Sequence, residues 1–236
     1  MRMLYEAGYF TYQPLETPDY DQALKLLEPA LLDLRHKIGS YGFAAGSGCI
    51  YRITPEYIYM LSVDHVMKSV HYQCDVMFFD GTVVRENIVY ATSKQHNELS
   101  LFRIPVKDVP VDTLLKLRQV YVDPDIYSKL SKDDEVVAFA KHWLGKDKDL
   151  IRRMKVRRLT ATIWSFGMVD SLLETTTGVV SGMSGTAVID LRGNLVGLAS
   201  AFGQATGNEK EASCFHSKID VLTEVEAALE EKNRAA

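Results

Sequence analysis

The apolar positions of this chain follow two different rhythms. After Thr17 and Pro18, an N-cap type and a first-turn proline, Leu24, Leu27, Leu31 and Leu34 recur at helical spacing until Gly39 stops the pattern. This predicts an N-terminal helix that Pro29 kinks or splits. From Gly39 onward the signal changes to short β-rich runs: GSGCIYRI, YIYMLSV, CDVMFFD, TVVRENIVYA and LSLFRI. Asp80-Gly81 sits between two of them as a hairpin turn, since Gly tolerates the positive φ that a tight primed turn requires.

Between Pro105 and Asp134 the chain is rich in Pro, Asp and Lys, with one helix-like stretch, VDTLLKLRQV, and reads as a connector. A second set of runs follows: EVVAFAKHW, KVRRLTATIWSF, GTAVIDL, NLVGLASAF and ASCFH. Ser217 and Asp220 have capping-box spacing ahead of Ile219, Leu222, Val225 and Leu229, which predicts a terminal amphipathic helix. Many short strands separated by turns indicate barrels or sandwiches rather than βαβ layers. The expected organisation is therefore an extension with a helix (1–38), a first β unit (39–120), and a second β unit with its helix (121–236).

Composition narrows the picture. The 236 residues are 47% apolar, ordinary for a globular chain. A net charge of -4 argues against an overall basic nucleic-acid binder, although Arg152, Arg153, Lys155, Arg157 and Arg158 form a basic run. That run reads either as an RNA-contacting face or as a solvated edge strand whose charges discourage edge-to-edge pairing. Tyr5, Tyr9, Phe10 and Tyr12 read as a strap packed on a barrel rather than a stacking surface. The opening MRMLYEAGYFTYQPLE lacks the apolar core of a secretory leader, and no window is long enough in apolar residues to span a bilayer. Cys49, Cys74 and Cys214 are odd in number and far apart, with neither disulfide nor zinc spacing. A cytoplasmic protein without metal or cofactor is the expectation.

The chemistry concentrates in Val180-Ser181-Gly182-Met183-Ser184-Gly185-Thr186. A serine between two glycines, just ahead of an apolar strand, suits a nucleophile: the glycines let the backbone turn so that the amides of Gly182 and Ser184 converge as an oxyanion hole. Taken alone, GMSG is also an ordinary β-turn. A serine hydroxyl needs a base, and the base needs an acceptor that fixes its tautomer. His65, at the end of YIYMLSVDHVM, and Glu98, just before LSLFRI, supply both in the chain order His, acid, Ser. Asp75, Asp80 and Asp108 are the alternative acids.

The run GFAAGSGCIYRITPEYIYMLSVDHV resembles the opening of the chymotrypsin/trypsin-like serine proteases, in particular their HtrA-like and positive-strand RNA virus branches, the latter astrovirus-type and 3C-like. NELSLFRI is similar to their Asp-x-Ala-Leu segment, and GMSGTAVIDLRGNLVGLAS to their nucleophile loop and following hairpin. The resemblance spans about Gly39 to Leu222. It implies an all-β fold of two six-stranded antiparallel barrels and a serine endopeptidase with His65, Glu98 and Ser184 as catalytic residues. It also implies a polypeptide substrate, which for a viral enzyme includes its own polyprotein.

Glu98 stands where the family has Asp, and a Glu serves there if its backbone recedes. Asp64 replaces the small residue usual before the histidine and is expected to point away. By analogy, the pocket for the residue before the scissile bond is walled by Thr176 to Val179, including Thr177 and Gly178, and by Ala199 to Gly203 on the next strand, including Ala199, Ser200 and Ala201. Gly178 supplies no carboxylate and this wall has no histidine, so neither basic nor Gln selectivity is indicated unless Glu174 or Asp170 reaches in from the rim. An apolar or small preference is what remains. The alternative function is a protease fold that has lost activity and serves as an interaction or RNA-binding module.

Overall fold

In a computed structural model, residues 2–38, 42–70, 73–93, 98–141, 148–164, 168–176, 178–204 and 212–235 are described. Two short helices, α1 (Arg2–Glu6) and α2 (Tyr20–Leu27), precede seven strands: β1 (Leu31–Ile38), β2 (Gly42–Ile53), β3 (Tyr57–Val63), β4 (Cys74–Phe78), β5 (Val83–Glu86), β6 (Tyr90–Thr92) and β7 (Leu99–Pro105). Between β3 and β4 lies helix α3 (Asp64–Val70). These strands form one antiparallel sheet in the order β5-β4-β1-β2-β3-β7-β6. After a connector holding α4 (Val111–Leu114) and α5 (Ile126–Lys129), six more strands follow: β8 (Glu135–Ala140), β9 (Leu150–Trp164), β10 (Met168–Thr176), β11 (Ala187–Asp190), β12 (Leu195–Gln204) and β13 (Ala212–Ser217). They close into a barrel in the order β10-β13-β12-β11-β8-β9, and α6 (Leu222–Ala235) ends the fold. None of these helices is long and apolar enough to cross a membrane.

The expected two-unit β architecture is present; the first unit is a curled seven-stranded sheet and the second is the closed six-stranded barrel. One apolar core runs through both, from Phe78, Ile50 and Phe102 to Val188 and Leu195. The connector passes from one unit to the other within two residues. Val120 N–H bonds Ile50 O in the first sheet, while Tyr121 O accepts from Leu195 N–H in the second. The Asp80-Gly81 hairpin joins β4 to β5, with Gly81 at φ +84°.

Three expectations are corrected. The helix predicted to Gly39 ends at Leu27, its N-cap being Asp19, whose carboxylate accepts from Gln22 N–H. Pro29 falls in a short 3-10 turn, and Leu31, Leu32 and Leu34 are buried residues of β1. A strand covered on both faces carries leucines at any spacing, so the helical period ran on by coincidence. A boundary at 38/39 would therefore separate β1 from β2, with which it pairs throughout. Ser217 does not cap the terminal helix; it is the buried last residue of β13, and the helix starts at Leu222. The basic run lies on β9, which is flanked by β8 and β10 and so is not an edge.

The N-terminal segment acts as a strap. Phe10 and Tyr12 are buried, while Tyr5 and Tyr9 remain largely exposed, Tyr9 beneath the Arg118 guanidinium. Phe10 O accepts from Gln119 N–H at 2.9 Å, and the Tyr12 hydroxyl donates to Gly193 O at 2.6 Å, so the strap fastens the connector to the β11–β12 turn.

The second barrel buries a histidine. His216 Nε2 lies 2.8 Å from the Thr175 hydroxyl, Nδ1 has no partner among the described residues, and burial pushes the imidazole pKa down to about 3. The unfolded chain, with a histidine pKa of about 6.5, then binds a proton that the folded chain refuses. Stability contributed by neutral His216 is present above about pH 6.5 and is lost on acidification toward 3, by at most about 1.4 kcal/mol per pH unit. Urea unfolding between about pH 6.5 and 5 should show a shallower pH slope for His216→Gln than for wild type. Equal slopes would mean that His216 is protonated in the folded state.

Candidate active site

The nucleophile loop is shaped by its glycines. Gly182 and Gly185 both adopt positive φ, +87° and +86°, conformations costly to a side-chain-bearing residue. Turns closed by Met183 N–H to Val180 O (3.0 Å) and Thr186 N–H to Met183 O (2.9 Å) hold Ser184 at the bend. Neither Gly182 N–H nor Ser184 N–H bonds a backbone carbonyl among the described residues, which leaves these two donors available at the turn.

The Ser184–Gly185 peptide is pinned on both sides. Its carbonyl accepts from Ser47 N–H of β2 at 2.7 Å, and its N–H donates to Ala199 O of β12 at 2.7 Å. A Cβ at Gly185 would run into Ser47 O and sit 2.5 Å from the Ser62 hydroxyl, so the two units meet here with no room for a side chain. Gly46 plays a similar part: a Cβ there would lie 2.6 Å from both methyls of Val66, the residue after His65, and 3.1 Å from Ser184 O. Val66, the neighbour of His65, and the Ser184 carbonyl thus come from different units to close on one glycine.

His65 lies in the first turn of α3 and is held by the acid expected for it. Its Nδ1 lies 3.0 Å from Glu98 Oε2, and the same carboxylate oxygen accepts a short hydrogen bond from the Ser200 hydroxyl. Glu98 itself has φ +61°, in the left-handed region that costs a non-glycine residue roughly 1–2 kcal/mol. That geometry lets one residue grip two neighbours: Glu98 O accepts from Asp64 N–H at 2.8 Å while its side chain turns to His65. Partial burial works to raise the Glu98 pKa, but the hydrogen bonds from His65 and Ser200 and the charges of His65 and Lys68 bring it below the usual glutamate value. Glu98 is held as an anion beside an imidazole that remains partly exposed.

The alternative acids are occupied elsewhere. Asp75 is paired with Arg85 on the neighbouring strand, Asp80 accepts from Thr82 and Thr113, and Asp108 sits in the 3-10 turn after β7. Asp64 pairs with Lys68 one turn along α3 and so turns away from the loop, as expected.

The expected pocket wall is partly redrawn. Ser200 is spent on Glu98 rather than on a pocket, and Ala199 is fully buried, its N–H and carbonyl both bonded to the nucleophile loop. The sequence points to Ser200 as part of a pocket wall, and its position two residues past LVGL carries no sign of the carboxylate that its hydroxyl meets. Gly178 faces β9, where a Cβ would lie 2.9 Å from Met154 Cγ, and Val179 N–H reaches Cys214 Sγ at 3.3 Å. Glu174 is not a free rim carboxylate: it is buried, accepts from Ser213 at 2.6 Å and faces Arg158 at 3.4 Å. Thr177 lies outside the described residues, as do the side chains of Asp170 and Ala201. On β9, Arg153 pairs with Glu135 and lies over the Tyr20 ring, and Arg157 donates to Ser213. Lys155 is exposed, and Arg152 donates to its neighbour's carbonyl.

If Glu98 orients His65, its reach is critical. Glu98→Asp should keep the fold and lower kcat/KM about a hundredfold, because one methylene withdraws the carboxylate by roughly an ångström. Peptidase rates equal to wild type would remove Glu98 from the site.

Comparison with known proteins agrees with this geometry. Residues 46–198 match the model of the trypsin-like peptidase domain, well over half of the chain. No curated protein matches the sequence. Among solved structures, the HtrA-type protease AlgW with a tripeptide is similar at a TM-score of 0.70 and 19% identity, over 91% of this chain and 65% of that one. The serine endoprotease from Yersinia pestis is similar at 0.63 and 18%, over 91% and 67%. The chain thus spans about two thirds of the length of these structures. With its loop, histidine and two β units, the chain belongs to the trypsin-like peptidase domain family and has the chymotrypsin-like serine protease fold.

Proposed function

We propose that the chain is a serine endopeptidase acting through an acyl-enzyme, with Ser184 as nucleophile, His65 as base and Glu98 as the acceptor that orients it. The observation that carries this is the 3.0 Å contact between His65 Nδ1 and Glu98, made where Ser184 is pinned between the two units. A proton on Nδ1 shared with Glu98 leaves Nε2 to take the Ser184 hydroxyl proton as the oxygen bonds to the substrate carbonyl carbon. The resulting oxyanion is met by Gly182 N–H and Ser184 N–H, each such donor being worth about 3 kcal/mol. His65 then returns the proton to the leaving amine, and water repeats the sequence on the ester to free Ser184.

A polypeptide substrate is supported by the peptide held in the AlgW structure. With Glu174 engaged by Ser213 and Arg158, and Gly178 bearing no side chain, the pocket favours a small or apolar residue before the scissile bond. For biological context we propose polyprotein processing in the cytoplasm of a virus-infected cell, a reading supported by the resemblance of the GMSG loop to that of positive-strand RNA virus serine proteases and by the free Cys49, Cys74 and Cys214. Release of this chain from a flanked precursor, and its loss in Ser184→Ala, tests that context. The RNA-binding alternative is less favoured, since Arg153 and Arg158 on β9 already face carboxylates.

Incubation with a fluorophosphonate probe tests the central reading. Wild type should be labelled covalently and Ser184→Ala should not, with turnover falling on the order of a millionfold in the variant. A folded wild-type sample that takes up no probe and cleaves no peptide in a diverse library would overturn it.

A further inference from the structure

Resting on the peptidase reading above, we infer that Ser62 is a positioning residue: its buried hydroxyl closes a hydrogen-bonded ring that sets the distance between His65 and Ser184. The ring can be followed residue by residue. His65 meets Glu98 at 3.0 Å, and the same carboxylate oxygen accepts from Ser200. Chain-adjacent Ala199 accepts from Gly185 N–H at 2.7 Å, and the carbonyl of that same peptide, Ser184 O, accepts from Ser47 N–H at 2.7 Å. Ser47 O in turn accepts from Ser62 Oγ at 2.8 Å, and Ser62 stands three residues before His65, at the end of β3.

The last link differs from the two at the Ser184–Gly185 peptide: those join backbone to backbone, and this one is supplied by a side chain. The β2–β3 ladder ends at the Cys49–Leu61 pair, and β2 must run on past it to deliver Ser47 N–H to the nucleophile loop. Where the ladder stops, the Ser62 side chain takes over and holds Ser47 by its carbonyl. Ser62 and Ser47 are both buried, so water does not compete for this bond. The hydroxyl also sits against Gly185, whose missing Cβ would be 2.5 Å from it, so Ser62 lies against both β2 and the loop that β2 holds. Ser62 thus meets no substrate. It acts through Ser47 on the Ser184 peptide, and through three residues of β3 and α3 on His65.

Without this link, Ser47 and the nucleophile loop gain freedom relative to β3, while His65 and Glu98 keep their own contact. Misplacement of reacting groups by an ångström costs on the order of a hundredfold, so a partial relaxation should cost about tenfold. The experiment is Ser62→Ala, assayed for kcat per active site after titration with a fluorophosphonate. The expected result is about a tenfold fall in per-site kcat, with KM and the pH midpoint of kcat unchanged because the His65–Glu98 pair is intact. Unchanged per-site kcat, or a loss accounted for by a smaller titratable fraction or a higher KM, overturns the inference. Should Ser62→Ala not fold, Ser62→Cys, which keeps a weaker donor at the same place, is judged by the same per-site kcat; failure of both to fold also overturns it, since Ser62 would then be required for folding rather than placement. Absence of Ser184-dependent labelling in wild type would instead sink the peptidase reading itself.

Discussion

The peptide bond between Ser184 and Gly185 is the point on which the two halves of the molecule depend. Its carbonyl is held by Ser47 of the first sheet and its N–H by Ala199 of the barrel, both at 2.7 Å. Apolar contacts between two independently curved sheets are non-directional: they fix how closely surfaces approach but not their register. Hydrogen bonds to one peptide from both sides impose register. Glycine at 185 follows from this, since its φ of +86° and the approach of Ser47 O leave no room for a Cβ. So does glycine at 46, which lets Val66 and the Ser184 carbonyl close on the same Cα.

The acid depends on the same junction from the other side. Ser200 follows Ala199 on β12, so the strand that holds Gly185 also presents the hydroxyl that Glu98 accepts. A Glu in place of the family's Asp has more reach and more freedom, and three contacts remove that freedom: Asp64 N–H on its carbonyl, and His65 and Ser200 on its carboxylate. The left-handed backbone at Glu98 is compatible with all three at a cost of roughly 1–2 kcal/mol, the kind of local strain that persists only where surrounding contacts over-determine it.

What was legible in the chain divides along the range of the forces involved. The GMSG loop, the Asp80-Gly81 hairpin and most strands were readable because turn chemistry and alternation are local. The pairing of His65 with Glu98 was readable from chemical necessity and chain order, and the structure brings the two side chains into contact. The leucines from Leu24 to Leu34 misled because β1 is buried by sheet neighbours that the local sequence does not announce. The partners of Ser200 and Ser62 escaped for a related reason: a hydroxyl's bond depends on what folding brings to it, and Glu98 is 102 residues from Ser200. Glu174 was offered to the pocket because nothing near it indicates that Ser213 and Arg158 arrive from other strands.

One buried histidine, His216, sets a limit on the acid side. It lies across the strand pair from Ala199 and stays neutral because burial pushes its pKa down to about 3. Ala199 is the residue that holds the Gly185 N–H, so stress at His216 is delivered one strand away from the nucleophile loop. Acidification therefore loads the wall that keeps Ser184 in register, and that load draws on global stability, because the folded barrel binds the His216 proton far more weakly than the unfolded chain does.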